Sequence, residues 1–554
     1  MKKVYKRIAA IACAVILCAA GAFAYWKFAI KEEEPQPFDF KITLPLLNTG
    51  KYPDAELAKK SERSFSVSTS NDLATNVGMA VLGAGGNAVD AAVAVSYMLG
   101  VVEPYASGIG GSGGMLVYDT GTGRCVFYDY RACAGSASYS PDNAGVPGFV
   151  AGMAEVHKDY GTISMYDLIT PAIEYAENGY PVGEALEHRI NYAKTVIGEY
   201  DWFKNEEGKI LKEGEIFRQP EHAKTLRAIR QDGPDAFYKG RIAEDIAAVT
   251  SLKAEDIAGF SVIKSDALEG YYEGYKVFSA GGPLSGMTLI QMLEMADELD
   301  IPDPRSDPAA FTSQLKTITG IAYSDRFRHV TDRTFYPVDE ASFISRSYIL
   351  DLLDMEDDSN AYEDDESMET TSFSIVDSNG LVVSCTNTLS SFWGCKKAAD
   401  GFFINNSLDN FSESGVNKYE PGKRARTYTA PTIITGKNGY VLSVGTPGGS
   451  AIPGLLFNVI SDVLKYGLEP QKAVEKPSLI YKSGVLSVEL DEDGNTWLDT
   501  SKIKERIVYR SMGYWWGCIS LAGYDGREAF GAYDFRRNAT KVGIYNPGEQ
   551  LPAK

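Results

Sequence analysis

Two runs with the period of β-strands follow a long polar stretch in the C-terminal half of the chain. They are Thr370 to Asp377 and Leu381 to Leu389, rich in β-branched residues and separated by Ser378-Asn379-Gly380. An Asn-Gly pair between two such runs supplies the backbone that a hairpin turn needs, so the pattern predicts a β-hairpin. Met115 to Tyr118 and Val441 to Val444 predict two further strands, the second leading into a helix from Ile452 to Lys465. Helical periodicity dominates from Pro147 to about Glu298, clearest from Ser164 to Asn178 and from Gly286 to Asp300. Ala88 to Leu99 is apolar on most faces. About twelve residues are too few to span a bilayer, so this run reads as a buried core helix. No internal repeat is visible.

Composition adds little to the fold and more to the setting. The chain has 554 residues, 44% apolar and 23% charged, an ordinary globular balance with length for one large core or two. Its net charge of −20 argues against nucleic acid as a partner. Lys2, Lys3, Lys6 and Arg7 precede an apolar run from Ile8 to Trp26. That is an export pattern, predicting a body outside the cytoplasm. Residues 1–30 read either as a cleaved signal, with Ala22-Phe23-Ala24 as the cleavage site, or as a membrane anchor with Lys27 at its outer end. Residues 31–60, opening on a Glu- and Pro-rich stretch, read as a spacer.

Gly108-Ile109-Gly110-Gly111-Ser112-Gly113 has the spacing of a dinucleotide fingerprint. That fingerprint needs a strand before it and a helix after it; here a helix precedes and a strand follows, which excludes it. Five cysteines follow the export segment: Cys125, Cys133, Cys385, Cys395 and Cys518. The number is odd, leaving one or two disulfides open. They lack metal-ligand spacing, and the chain has only four His, so neither a metal nor another cofactor is implied.

The chemistry gathers at the hairpin. Residues 356–369 hold eight acids and no base. Such a stretch repels itself and buries nothing, so it predicts a loop. Thr370, which opens an ordered strand directly behind it, is well placed to become a new N-terminus after cleavage between Glu369 and Thr370. A free N-terminal Thr carries a nucleophile (Oγ) and a base (its α-amine) in one residue. Gly448-Gly449, at a strand-to-helix turn, can point backbone N–H groups at a developing oxyanion.

These features fall within a longer resemblance. The segments TTSFSIVDSNGLVVSCTNTLSSFWG (370–394), GFFINNSLDNF (401–411) and APTIITGKNGYVLSVGTPGGS (430–450) resemble the γ-glutamyltransferase family of N-terminal-nucleophile hydrolases. So do GGNAVDAAVAVSYMLGVVEPYASGIGGSGGMLVYD (85–119), YDYR (128–131) and GVPGFVAGMAEVHKDYGT (145–162). The resemblance runs from about Ser66 to about Thr540. It implies an α+β fold, the four-layer αββα sandwich, forming one heterodimeric catalytic unit after self-cleavage. Residues 61–369 would be the large subunit and 370–554 the small one. It implies Thr370 as nucleophile, Thr388 as the second threonine that hydrogen-bonds it, and Gly448 and Gly449 as the oxyanion hole. Arg131 would grip the substrate's α-carboxylate, a task suited to a guanidinium, which pairs bidentately and stays charged.

The sequence departs from glutathione-cleaving relatives where they hold the substrate's α-ammonium. Those positions read Ser390, Ser407, Asn410 and Thr427-Tyr428, all neutral. The carboxylate clamp is kept and the ammonium clamp is lost. Internal units of poly-γ-glutamate fit this combination: their α-carboxylate is free and their α-nitrogen is already an amide. Lys423-Arg424-Ala425-Arg426 reads as a basic patch for carboxylates of neighbouring units, with Arg426 among the substrate contacts. Ala451 replaces an Arg common in relatives. The phrases at residues 387–394, 401–406 and 419–432, and Asp534-Phe535-Arg536-Arg537-Asn538, look most like the poly-γ-glutamate capsule depolymerase branch. The expected function is that of an exported, self-cleaving γ-glutamyl acyltransferase, with a γ-glutamyl polymer or peptide as donor and water or an amine as acceptor. Two rival expectations are a general glutathione hydrolase and a membrane-tethered binding protein without turnover.

Overall fold

The computed structural model describes residues 63–355, 369–513, 516–537 and 539–547. The predicted signal or anchor, the spacer and the acidic run before Glu369 lie outside them. Among the described residues no helix is long and apolar enough to cross a membrane.

Two antiparallel sheets form the centre. The first has seven strands, in the spatial order Gly543–Tyr545, Phe65–Thr69, Glu369–Asp377, Leu381–Ser390, Ser112–Asp119, Arg124–Tyr130 and Ile263–Asp266. The second has six: Ala529–Ala532, Ser520–Tyr524, Val441–Gly445, Thr432–Thr435, Tyr275–Ser279 and Leu268–Tyr272. Leu116, Phe127, Phe278, Val376, Val382, Ile433 and Ala522 fill the space between them. A larger core sits on the outer face of the second sheet, where Leu442 and Val444 meet the helices Gly286–Glu298, Pro308–His329 and Ile452–Leu464. The helices Asp72–Gly83, Ala88–Val102 and Phe149–Tyr160 lie against the first sheet. The layers therefore run αββα.

The predicted hairpin forms, with Val382 opposite Val376 and Gly380 at φ 140° in the turn. Strand alternation would ordinarily leave one face wet. Here both faces are buried, and the polar one is stitched to the second sheet by serines. Ser374 donates to the Ser520 carbonyl at 3.1 Å, Ser384 to Val444 at 3.0 Å and Ser443 back to Val383 at 2.8 Å. Small hydroxyls let the sheets approach and satisfy carbonyl lone pairs left over by the ladder.

The apolar helix runs three residues further than expected, Ala88–Val102, and all fifteen residues are buried. Asn87 and Asp90 close its N-terminus as a reciprocal capping box. Three strands between Ile263 and Ser279 interrupt the region expected to be mainly helical. All five cysteines are free, so neither of the open disulfides forms.

Candidate active site

Strand register brings the site together. Glu369 pairs with Ser390, Thr388 with Ser112, and Gly113 with Tyr130. One end of one sheet thus gathers Thr370, Thr388, Ser390 and the residue after the Arg124–Tyr130 strand, Arg131. The hairpin register shifts between Asn387 and Ser390, opposite Thr370. Such bulges bend a strand and re-aim its side chains. Ser390 sits at φ +75°, outside the range an L-residue prefers.

Within this end the Thr370 hydroxyl points to the Thr388 hydroxyl at 3.4 Å. Thr388 Oγ1 also accepts the Ser390 N–H at 2.8 Å. The Ser390 hydroxyl is 3.0 Å from that of Ser407 and receives Arg131 Nη1 at 3.4 Å. Thr370, Thr388, Ser390, Ser407 and Arg131 therefore form one connected polar chain. Thr370 is 4% exposed and Arg131 1% exposed. Arg131 Nε faces the Ala425 carbonyl, and its N–H binds Asp129. Burial raises the Asp129 carboxyl above its ordinary value, and Arg424 and the Arg131 N–H offset only part of that rise.

Gly448 and Gly449 lie in the predicted strand-to-helix turn. Their φ values are +145° and +53°, a conformation that calls for glycine. A short turn Gly449–Ala451 follows and then the helix from Ile452. The strand before the turn packs on the nucleophile strand so closely that a Cβ at Gly445 would meet the Ser372 hydroxyl at 2.1 Å. N–H groups at a helix start attract negative charge.

The other expected residues are placed less directly. Asn410 ends the turn Ser407–Asn410, half-buried, and its carbonyl accepts from Asn417 at 2.8 Å. Thr427 donates its N–H to Pro283 and its carbonyl accepts the Ser285 hydroxyl. Tyr428 lies under the Arg326 guanidinium at 3.4 Å and beside Tyr323, whose hydroxyl reaches the Ser450 carbonyl. It thereby links this segment to the glycine turn.

The expected basic patch is corrected. Lys423, Arg424 and Arg426 are all buried. Lys423 binds Glu420 and the Val416 carbonyl. Arg424 faces Asp129 and the carbonyls of Arg131 and Ser261. Arg426 meets the Phe327 carbonyl and Ser412, its guanidinium 4.3 Å from the Phe327 ring centre. These cations brace the loop beside Arg131 from within.

Two residues escaped the sequence reading of the site. Arg537 Nη1 donates to the Thr370 carbonyl, and Glu103 accepts the Thr371 hydroxyl. Arg537 lies in the Asp534–Asn538 motif, which carried no role. Glu103 had one faint signal, a lone acid closing an apolar run. Among the described residues no three His, Cys, Asp or Glu side chains converge as metal ligands.

Known proteins resemble this chain in sequence and in fold. The capsule biosynthesis protein CapD proenzyme of Bacillus anthracis is 36% identical over 486 residues, covering 86% of this chain and 90% of that protein. The glutathione hydrolase proenzyme of Bacillus subtilis (strain 168) is 31% identical over 518 residues, covering 81% and 88%. That of Escherichia coli (strain K12) is 31% identical, covering 73% and 78%. A cephalosporin acylase from Bacillus halodurans superposes with a TM-score of 0.78 at 23% identity, covering 88% of this chain and 97% of that one, a likeness of fold. The family described as gamma-glutamyltranspeptidase matches residues 74–538, nearly the whole described body. The chain belongs to the gamma-glutamyltranspeptidase family, and it is an enzyme of that type.

Proposed function

We propose that this enzyme cuts itself before Thr370 and then cleaves γ-glutamyl amides within a γ-linked glutamate polymer, outside the cytoplasm. The observation that carries the substrate is the lining beside Arg131. Ser390 and Ser407, hydrogen-bonded to each other at 3.0 Å, occupy positions where an ammonium-binding site would need carbonyl or carboxylate oxygens. Asn410 is likewise neutral. A desolvated ammonium there would lack a countercharge, at a cost of several kcal/mol, whereas an amide needs only neutral partners. The CapD proenzyme, whose name refers to capsule biosynthesis, is 36% identical to this chain.

In self-cleavage Thr370 Oγ adds to the Glu369 carbonyl carbon. The Oγ proton passes to the Thr370 nitrogen as the C–N bond breaks, leaving an ester that water hydrolyses. In turnover the freed amine takes the Oγ proton while Oγ adds to the substrate's γ-carbonyl. The backbone N–H groups at Gly448-Gly449 receive the negative charge. The proton leaves with the departing amine, and water or another amine then resolves the γ-glutamyl ester. Thr388 holds the nucleophile's hydroxyl.

The test is kcat/KM on glutathione against a γ-glutamyl oligomer at one ionic strength. The oligomer is expected to win. Ser407→Glu with Asn410→Asp should move the ratio toward glutathione by about tenfold or more, the worth of one charged hydrogen bond. Wild type clearly preferring glutathione would reject the polymer reading and leave a glutathione hydrolase, as in the relatives at 31% identity.

A further inference from the structure

Two buried charges meet at the nucleophile's own backbone. Arg537 Nη1 donates to the Thr370 carbonyl at 2.7 Å. The same nitrogen is 3.7 Å from Glu103 Oε2, and that oxygen accepts the Thr371 hydroxyl at 2.6 Å. Their side chains are 2% and 0% exposed. Glu103 caps the helix Ala88–Val102, its N–H bound to the Leu99 carbonyl. Arg537 follows Arg536, which Glu489 and Asp534 hold by ion pairs. Two distant segments are thus anchored so that a cation touches the nucleophile's peptide and an anion touches the next residue.

We propose that Arg537 and Glu103 are positioning residues that set the basicity of the α-amine released on Thr370, Arg537 favouring the free base and Glu103 opposing it. The inference rests on the self-cleavage reading above.

An α-amine ordinarily has a pKa of about 7.7–8.0, so near neutral pH most of it would be ammonium. An ammonium cannot accept the Oγ proton. Within one residue the amine and carbonyl oxygen are about 3 Å apart, which puts the Arg537 charge roughly 5 Å from the amine. A cation at that range disfavours the ammonium. Glu103 acts one residue further along, so its opposing effect is smaller. Arg537 also fixes the peptide that carries the nucleophile.

Other ionisable groups on the packed elements do not supply this effect. Arg131, another buried cation of this end, reaches Thr370 by way of Ser390 and Thr388, and Arg189 sits over the Phe392 ring. Tyr97, Tyr105 and Cys518 are pushed well up by burial, and Cys385 to about 12, so all stay uncharged. Asp534 is paired with Arg536. Asp377 and Asp90 lie at the far ends of the nucleophile strand and the apolar helix, Asp377 beside Arg63 and Asp90 on Thr162.

The test is the pH profile of kcat/KM from about pH 5 to about pH 9, on whichever of glutathione or γ-glutamyl oligomer wild type turns over. Wild type, Arg537→Met, Arg537→Lys and Glu103→Gln are compared after mass spectrometry shows how far each is cut. The acid limb should rise by about 1 pH unit in Arg537→Met, return in Arg537→Lys, and fall in Glu103→Gln. Lost packing alone would lower the rate at every pH and leave the limb in place. An uncut but active wild type rejects self-cleavage and this inference with it. Cut proteins whose limbs coincide overturn the inference alone. If Arg537→Met stays uncut, Glu103→Gln decides: a lower limb supports the assignment and an unmoved limb overturns it.

Discussion

Thr370→Ala should remain a single chain and lose turnover by about 10⁴-fold or more, the scale seen when an acyl-transfer nucleophile is removed. Wild type should separate into two pieces, one ending at Glu369 and one beginning at Thr370. The expectation follows from geometry as well as kinship. Thr370 is the second residue of the strand Glu369–Asp377; Arg537 holds its carbonyl, and its hydroxyl meets Thr388 at 3.4 Å. Removing one hydroxyl and one methyl group near the end of a strand buried on both faces leaves the sandwich intact, so the variant should fold. Intact-mass measurement of both proteins, with the N-terminus of the smaller piece, checks the claim. A wild type that is fully active as one uncut chain would sink it. An uncut and inert wild type would favour a binding protein that keeps the fold without turnover.

The parts of this site that were legible in the sequence are local ones. Asn379-Gly380 announces the hairpin because only a few residues tolerate the turn's backbone, and the hairpin register brings Thr388 to Thr370. The helix from Ala88 was legible because a run apolar on most faces has nowhere to go but the core. The strands between Ile263 and Ser279 were missed. They are short, and Leu268–Tyr272 alternates buried with exposed positions over only five residues. Contacts such as Arg131 with Ser390, 259 positions apart, have no periodic signature; only the family resemblance brought those residues together. Lys423 to Arg426 misled for a different reason. A charge run usually reads as a solvated face, but long stems can be buried when backbone carbonyls receive the charged heads. Glu103 and Arg537 meet across 434 positions in sequence, and burial is what gives each its significance.

Arg131→Lys should lower kcat/KM by about 30-fold to several thousand-fold, the equivalent of roughly 2–5 kcal/mol for truncating one partner of a desolvated charge pair. The substitution keeps the charge, so a large loss would report geometry. Arg131 is 1% exposed and turns Nη1 toward Ser390 and Nε toward the Ala425 carbonyl. A lysine ammonium is a single point on a flexible stem and cannot hold a carboxylate at two atoms while keeping those contacts. Self-cleavage supplies the control. It uses no substrate carboxylate, so Arg131→Lys should still be cut before Thr370, whereas a general collapse of this end of the sheet would stop both. The loss should appear with glutathione and with a γ-glutamyl oligomer alike, because both present an α-carboxylate next to the scissile γ-amide. Normal turnover by a fully cut Arg131→Lys enzyme would remove Arg131 from the substrate site. The neutral lining beside it would then no longer argue for an amide in place of an ammonium.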